Sequence, residues 1–104
     1  MREICLVRLD KRRPALILTR EAARGAMTKV TVAPITSTIK GLSSEVLVGP
    51  DNGLDHDCAV SLDNVLTVSV DALGRTVGYL SGDQEAQLAR AVVLAYDLEI
   101  ALLG

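Results

Sequence analysis

The sequence predicts a small α+β domain in which a curled antiparallel sheet is covered by one long C-terminal helix. Short runs rich in Ile, Val and Leu recur along most of the chain between turn-forming residues, which is typical of a sheet of short strands. After residue 81 the apolar residues change to helical spacing. The 104 residues are 49% hydrophobic and contain no linker, so we expect residues 1–104 to form a single domain.

The strands are predicted from β-branched runs bounded by polar or turn-forming residues. Residues 3–9 and 14–19 form the first two runs, and a short Ala-rich helix over residues 20–27 follows them. Further strands are predicted at residues 29–39, 45–48, 58–62, 65–70 and 76–80. Because Pro34 cannot donate a ladder hydrogen bond, we expect an edge or a bulge at that position.

The helix predicted from residue 81 has both a start signal and an apolar face. Ser81 and Gln84 have the spacing of a capping box, and two acidic residues in the first turn suit the positive end of the helix dipole. The residues at helical spacing are Leu88, Val92, Ala95 and Leu102. Other faces are also apolar, at Val93, Leu94, Ile100 and Leu103, so we expect part of the helix to pack against a second copy of the chain.

Composition excludes several classes of protein. The sequence has neither an apolar run of about 20 residues nor a signal-peptide pattern at its N-terminus, so we expect a cytoplasmic protein without a membrane segment. Cys5 and Cys58 lie far apart in apolar runs, which favours reduced core thiols over a zinc site or a disulfide. With Tyr79 and Tyr96 as the only aromatic residues, base stacking cannot dominate any binding of nucleic acid.

Charge is divided unevenly along the chain. Residues 1–40 carry nine basic and three acidic side chains, a net charge of +6, whereas the remainder carries −8. A basic segment within an acidic protein suits a localised anionic ligand such as a phosphodiester backbone. The alternative is that these charges are scattered over a solvated surface.

Two short motifs could bind that ligand. Proline at position 14 favours an extended Arg13, whose guanidinium could grip a phosphate; the alternative is an ordinary surface arginine in a turn. The segment Thr36-Ser37-Thr38 ends an apolar strand with three hydroxyls, which could donate to phosphate oxygens; the alternative is that Thr is simply a good strand residue. Asp55-His56-Asp57 follows a turn-rich segment without further ligands at recognisable spacing, so we expect a solvated loop and no metal site.

The order and spacing of four segments resemble the MazF/PemK toxins of bacterial toxin-antitoxin systems. These segments are RRPALILTR, VTVAPITSTIKGLSSEV, AVSLDNVLT and LGRTVGYLS, and with the terminal helix they cover nearly the whole chain. The resemblance implies an SH3-like barrel, a homodimer and sequence-specific cleavage of single-stranded RNA without a metal or other cofactor. It also implies neutralisation by a cognate MazE-like antitoxin, which would compete with RNA for the basic groove.

The resemblance also implies roles for individual residues. Arg13 and Thr36 match the catalytic positions of the family, while Thr38, Asp63 and Asn64 match positions that contact RNA. Ser37 is a further hydroxyl beside them. The loop before Arg13 is shorter than in many relatives, so its base recognition is not carried over, and we expect Lys11 and Arg12 to supply electrostatic grip instead.

The implied reaction is a transesterification in which the ribose 2′-hydroxyl attacks the adjacent phosphorus. The products are a 2′,3′-cyclic phosphate and a 5′-hydroxyl, and DNA, which lacks the attacking group, would not be cut. A pair of histidines is impossible because His56 stands alone, and no general base is assigned. A non-catalytic toxin of the CcdB type, which shares the implied fold and poisons DNA gyrase, is the alternative; the absence of tryptophan counts against it.

Overall fold

The computed structural model describes residues 2–98 and has the predicted α+β architecture. The strands are β1 (Glu3–Arg8), β2 (Arg12–Ile17), β3 (Lys29–Thr36), β4 (Glu45–Val48), β5 (Cys58–Ser61), β6 (Leu66–Ser69) and β7 (Leu73–Tyr79). The helices are α1 (Glu21–Arg24) and α2 (Gly82–Ala95), and short 3₁₀ turns are formed by Pro50–Asn52, Leu62–Asn64 and Val70–Ala72.

All the strand pairs are antiparallel and belong to one curled sheet with the strand order β4-β5-β3-β2-β1-β7. Strand β6 joins this sheet through β3. Strands β1 and β2 form a tight hairpin, and the chain then turns back along β3. The predicted sheet of short strands is therefore confirmed.

Strand β3 has two successive partners on one side. Its first half, from Lys29 to Val32, pairs with β6, and its last residues, Ile35 and Thr36, pair with β5. Pro34 lies where the partner changes, at a position that costs no ladder hydrogen bond on that side. The sequence predicts an edge or a bulge there; β3 is instead a central strand, paired with β2 on one side and with β6 and then β5 on the other.

Two apolar clusters cover the two faces of the sheet. The first lies between the sheet and α2; its largest fully buried members are Ile4, Leu16, Val46, Val60 and Leu62, with Leu88 of the helix packed against them. The second lies on the opposite face and includes Cys5, Val7, Ala15, Ile17, Val30 and Val32. Alternate residues of β1 and β2 enter different clusters, as expected for strands whose two faces are both covered.

Helix α2 begins and ends with recognised capping motifs. The predicted capping box is confirmed, because the Ser81 hydroxyl accepts the N–H of Gln84 and the Gln84 side chain accepts the N–H of Ser81. At the other end Asp97 has a left-handed φ of 52°. The Leu98 N–H donates to the carbonyl of Val93, which forms a Schellman motif.

The predicted apolar face of this helix is largely confirmed. Leu88 is buried, and Val92 and Ala95 are partly buried against the first cluster. Leu94 remains 50% exposed. Leu102, with Ile100 and Leu103, lies outside the described residues. Neither helix within residues 2–98 is long and apolar enough to span a membrane.

Some predicted boundaries need correction. The third strand was predicted to reach residue 39 but ends at Thr36, because the Thr36 hydroxyl accepts the N–H of Thr38 and turns the backbone out of the sheet. Helix α1 has four residues instead of the eight predicted. Strand β7 begins at Leu73, three residues before its predicted start, because pairing with β1 extends it.

Candidate active site

An open cleft lies where β3 and β5 leave the sheet, with a volume of about 590 Å³. Four residues selected from the sequence line it, namely Thr36, Thr38, Asp63 and Asn64. The other lining residues are Pro34, Lys40, Leu42, Glu45 and Ser61. The cleft thus combines hydroxyl, amide, carboxylate and ammonium groups with the apolar side chains of Pro34 and Leu42.

The hydroxyl segment enters the cleft at the last residue of β3 and continues in a turn. Because the Thr36 Oγ1 atom accepts the Thr38 N–H at 3.1 Å, both threonines reach the same cleft although the strand has ended. Ser37 lies between them and is exposed, but it does not line the cleft. Alternate residues, Pro34, Thr36 and Thr38, therefore face the cleft.

The Asp63-Asn64 pair lies on the short 3₁₀ turn Leu62–Asn64 that follows β5. Each of the two side chains forms a hydrogen bond with a serine of the protein. The Ser44 hydroxyl donates to Asp63 Oδ2 at 2.5 Å, and the Asn64 amide donates to Ser61 Oγ at 2.7 Å. Since Asp63 and Asn64 are exposed, their remaining polar atoms can meet a ligand.

Arg13 does not line this cleft; it lies on β2, the strand next to β3. It is paired with Val7 of β1, on the face of β2 that also carries Ala15 and Ile17. The pairing between β2 and β3 runs from Ile17↔Val32 to Ala15↔Pro34. The pairing ends at Ala15↔Pro34, and extending its register by two residues on each strand aligns Arg13 with Thr36 on the same face.

Asp10 holds the Arg13 guanidinium from the hairpin loop. The Arg13 Nε atom donates to Asp10 Oδ1 at 3.3 Å and Nη2 donates to Oδ2 at 3.4 Å, in a two-point ion pair. The Lys11 backbone N–H, followed by Arg13, lowers the pKa of the Asp10 carboxyl from its ordinary value. Asp10 is therefore ionised at neutral pH. No pattern in the sequence marks it as the partner of Arg13.

Lys11 and Arg12 are exposed at the tip of the same hairpin. Arg12 pairs directly with Arg8 across β1 and β2, so two like charges face each other on one ladder position. Such a pair disfavours the folded hairpin by itself and is relieved by a bound anion. Three basic side chains, Arg8, Lys11 and Arg12, therefore lie close together on this hairpin.

Part of the basic segment serves the fold instead. Arg2 donates to the carbonyls of Ile17 and Leu18, and Arg24 Nη1 forms an ion pair with Glu3 at 2.7 Å. The pKa of Glu3 is lowered by hydrogen bonds from three side chains. Thr76 has the strongest influence, and Arg24 and Cys5 add to it. Four other basic side chains of residues 1–40 lie on the β1–β2 hairpin, namely Arg8, Lys11, Arg12 and Arg13.

The two thiols and the acidic loop take no part in this cleft. Cys5 and Cys58 are free and buried, as predicted. Burial first, and the Glu3 carboxylate second, raise the pKa of Cys5 to about 11, so this thiol stays protonated. His56 lines a different cavity beside Arg75, and no group of three or more potential metal ligands forms within residues 2–98.

Several residues of the cleft are not indicated by any pattern in the sequence. Lys40, Glu45 and Ser61 line it, and Ser44 lies behind its wall. In the sequence, the segment that contains Ser44 and Glu45 predicts only the start of a short strand. Glu45 contacts the backbone of residues 40–42, and Ser44 contacts the turn Leu62–Asn64. These are tertiary contacts, and no local sequence pattern predicts them.

Fold and site together define a small sheet protein with a polyanion-binding cleft, bordered by a basic hairpin and by hydroxyl, amide and carboxylate groups. Residues 2–96 match the sequence model of the PemK-like, MazF-like toxins of type II toxin-antitoxin systems. Endoribonuclease MazF3 of Mycobacterium tuberculosis is 52% identical over 99 residues, covering 95% of this chain and 96% of that protein. The solved Mycobacterium tuberculosis toxin MazF-mt6 superposes with a TM-score of 0.92 and 51% identity, covering 94% of this chain and 99% of that one.

The chain therefore belongs to the PemK-like, MazF-like toxin family. A mycobacterial endoribonuclease solved in complex with its cognate antitoxin is only 23% identical but has a TM-score of 0.84, which shows that the fold is shared. These matches confirm the resemblance found in the sequence, including the fold class. They support the nuclease interpretation and not the gyrase-poison alternative.

Proposed function

We propose that this chain is a toxin that cleaves single-stranded RNA at specific sequences, without a metal, and so inhibits translation. Its membership of the MazF/PemK family supports the activity. The observation that supports the assignment of the site is the polar cleft lined by Thr36, Thr38, Asp63 and Asn64, on strand β3 next to the strand that carries Arg13.

In the proposed reaction the 2′-hydroxyl of one nucleotide attacks its own 3′-phosphodiester and displaces the 5′-oxygen of the next nucleotide. Negative charge grows on the non-bridging oxygens as the phosphorane forms, and stabilising that charge lowers the barrier. Arg13 and Thr36 supply this stabilisation, the first as a fork of N–H donors and the second as an O–H donor. Asp10 holds the guanidinium in place before the substrate arrives.

The remaining site residues are proposed to bind RNA. Lys11 and Arg12 neutralise phosphates along the hairpin, since both are exposed and adjacent to Arg13. Thr38, Asp63 and Asn64 face the cleft and can bond to base edges or 2′-hydroxyls, which differ between RNA and DNA. Ser37, exposed at the rim, is assigned a phosphate contact.

The proposed assembly is a homodimer neutralised by a cognate MazE-like antitoxin. Exposed apolar side chains at the end of α2, namely Leu94, Tyr96 and Leu98, support contact with another chain. The antitoxin and RNA are both anionic partners for the basic hairpin, so we expect them to compete. The proposal locates this activity in the cytoplasm, where RNA is translated.

The activity is tested by incubating the purified protein with mixed-sequence single-stranded RNA in EDTA and mapping the cut ends. Arg13→Ala and Thr36→Val are compared with Arg90→Ala and Thr67→Val, which alter exposed residues outside the cleft. Removing one donor to the developing charge is expected to reduce the cleavage rate by about 100-fold or more.

Cutting of RNA but not of a DNA copy, with cyclic-phosphate ends and wild-type rates for the two control variants, is the expected result. Folded wild-type dimer that cuts neither substrate would contradict the proposal. Equal rates for Arg13→Ala and Arg90→Ala would leave the nuclease activity standing but remove Arg13 from its mechanism.

A further inference from the structure

Two adjacent residues at the start of β4, Ser44 and Glu45, make contacts to both walls of the cleft. We propose that they are positioning residues that set the width of the cleft and thereby the RNA sequence that fits it. This inference rests on the proposed function, because it concerns the selectivity of the same site. It assigns neither residue a part in the chemical step.

Glu45 ties down the loop that forms one wall. Its Oε1 atom accepts the backbone N–H groups of Gly41 at 2.9 Å and Leu42 at 3.1 Å, and its Oε2 atom accepts that of Lys40 at 3.3 Å. The Glu45 N–H also donates to the Leu42 carbonyl at 3.1 Å, which closes the turn. Residues 40–42 are therefore fixed by a single carboxylate through charge-assisted hydrogen bonds.

The loop held in this way carries cleft residues. Lys40 and Leu42 line the cleft directly, and Thr38 precedes them in the same loop. Because Glu45 pairs with Ser61 across β4 and β5, its side chain lies on the cleft side of this part of the sheet. Its oxygens are occupied by three backbone donors, an arrangement that suits an anchor better than a proton acceptor.

Ser44 holds the opposite wall. It is only 7% exposed, and its hydroxyl donates to Asp63 Oδ2 at 2.5 Å. Its carbonyl accepts the N–H of Leu62 at 3.1 Å, so the 3₁₀ turn Leu62–Asn64 is tied to Ser44 by side chain and backbone together. Asp63 and Asn64 are thereby held at a set distance from the loop that Glu45 anchors.

One dipeptide thus connects the loop carrying Thr38 and Lys40 to the turn carrying Asp63 and Asn64. A base that enters the cleft meets polar groups from both walls, and its hydrogen bonds are made only if the walls are correctly spaced. Loosening either wall is expected to weaken binding of the preferred sequence and to admit other bases. Arg13 and Thr36 belong to β2 and β3 and remain in place.

The test compares Glu45→Gln with Glu21→Gln, an exposed glutamate of α1, and Ser44→Ala with Ser43→Ala, the exposed neighbouring hydroxyl. Cut sites are mapped on mixed-sequence RNA, and kcat and KM are measured on the preferred site. For Glu45→Gln and Ser44→Ala we expect KM to rise about tenfold, with kcat nearly unchanged and additional cut sequences appearing, since a hydrogen bond to a charged group is lost in each.

A second measurement follows the loop independently of activity. Hydrogen exchange of the Lys40, Gly41 and Leu42 amides is expected to be about tenfold faster in Glu45→Gln than in Glu21→Gln. Unchanged exchange rates, or the same cut sites and KM in all four variants, would overturn the inference while the wild type still cuts RNA. A folded wild type that cuts no RNA would instead overturn the proposed function and the selectivity assigned to this pair.

Discussion

At the residue scale, the same side-chain types serve either the fold or the site, according to their partners. Arg24 forms an ion pair with Glu3, and Arg2 donates to two backbone carbonyls, so both serve contacts within the fold. Arg13 is held by an exposed carboxylate at longer distances and keeps 43% of its side chain exposed. An arginine count therefore overstates the basic surface of this protein, because some guanidinium groups make contacts within the fold.

Glu3 gives a pH-dependent prediction. Its pKa is lowered, chiefly by the Thr76 hydroxyl, so its stabilising effect is present above its unfolded pKa of about 4.3 and is lost as pH falls through the lower folded value. Glu3→Gln is expected to lower the free energy of unfolding by about 1 kcal/mol at pH 7. Thermal unfolding between pH 7 and pH 3 measures it, with Glu21→Gln as the control.

The stability difference between wild type and Glu3→Gln should shrink as pH falls below the unfolded pKa of the glutamate. A difference that stays constant over that pH range would show that the ionised carboxylate does not contribute through its hydrogen bonds and ion pair.

At the element scale, α2 is fixed to the sheet through the turn Pro50–Asn52 that follows β4. Asn52 is buried and donates to the Tyr79 carbonyl and to the Gln84 side chain, while Gln84 donates to the carbonyl of Leu47. Gln84, which completes the capping box, therefore also joins α2 to β4 directly and to β7 through Asn52. This connection requires β7 to pass very close to the turn, and Gly78 allows that approach.

Gly78→Ala is expected to destabilise the protein by about 2 kcal/mol or more, through overpacking. A Cβ atom at this position would lie 2.0 Å from the carbonyl oxygen of Asn52, which is backbone and cannot move aside. Gly82→Ala is the matched control, since nothing lies within 4 Å of its Cβ position. Chemical denaturation compares the two, and equal stability for both variants would contradict the close approach.

Most elements could be predicted from local pattern, because the strands are β-branched runs between turn residues and α2 has its own capping box. The early end of β3 could not, since it depends on a side chain of the strand bonding to its own backbone. The early start of β7 depends on pairing with β1. Both differences come from contacts that compete with or extend the local preference of the chain.

The site was predictable to the extent that it resides in motifs. Thr36, Thr38, Asp63 and Asn64 come together in the cleft, whereas Arg13 lies on the adjacent strand β2 and does not line it. Asp10, Lys40 and the Ser44-Glu45 pair were not predicted, because an exposed carboxylate or a serine in a loop has no distinctive pattern. Only the folded chain shows which backbone groups they bind.

At the scale of the whole molecule, the uneven charge of the sequence becomes a local basic hairpin on an otherwise acidic protein. The net charge of −2 hides this arrangement. Lys11, Arg12 and Arg13 follow one another at the hairpin, with Arg8 facing Arg12 across the strands. A surface of this kind attracts a polyanion locally without making the protein as a whole basic.

Binding to this hairpin should depend on salt. We expect Lys11→Ala to reduce the slope of log K against log salt concentration by about 0.7, the change for one phosphate contact to a single strand. Binding is measured with a DNA copy of the target, which is not expected to be cut. Arg90→Ala, on α2, should leave the slope unchanged, and a slope unaffected by Lys11→Ala would contradict phosphate contact at the hairpin.

The central claim, that this chain cuts RNA through the 2′-hydroxyl beside the broken bond, is tested most directly by removing that one hydroxyl. An oligonucleotide with a single mapped cut site is prepared in all-ribose form and with one 2′-deoxynucleotide on the 5′ side of that bond, and both are incubated with the protein in EDTA. The account predicts cutting of the first, with cyclic-phosphate and 5′-hydroxyl ends, and no cutting of the second at that bond. Equal cutting of both would contradict it.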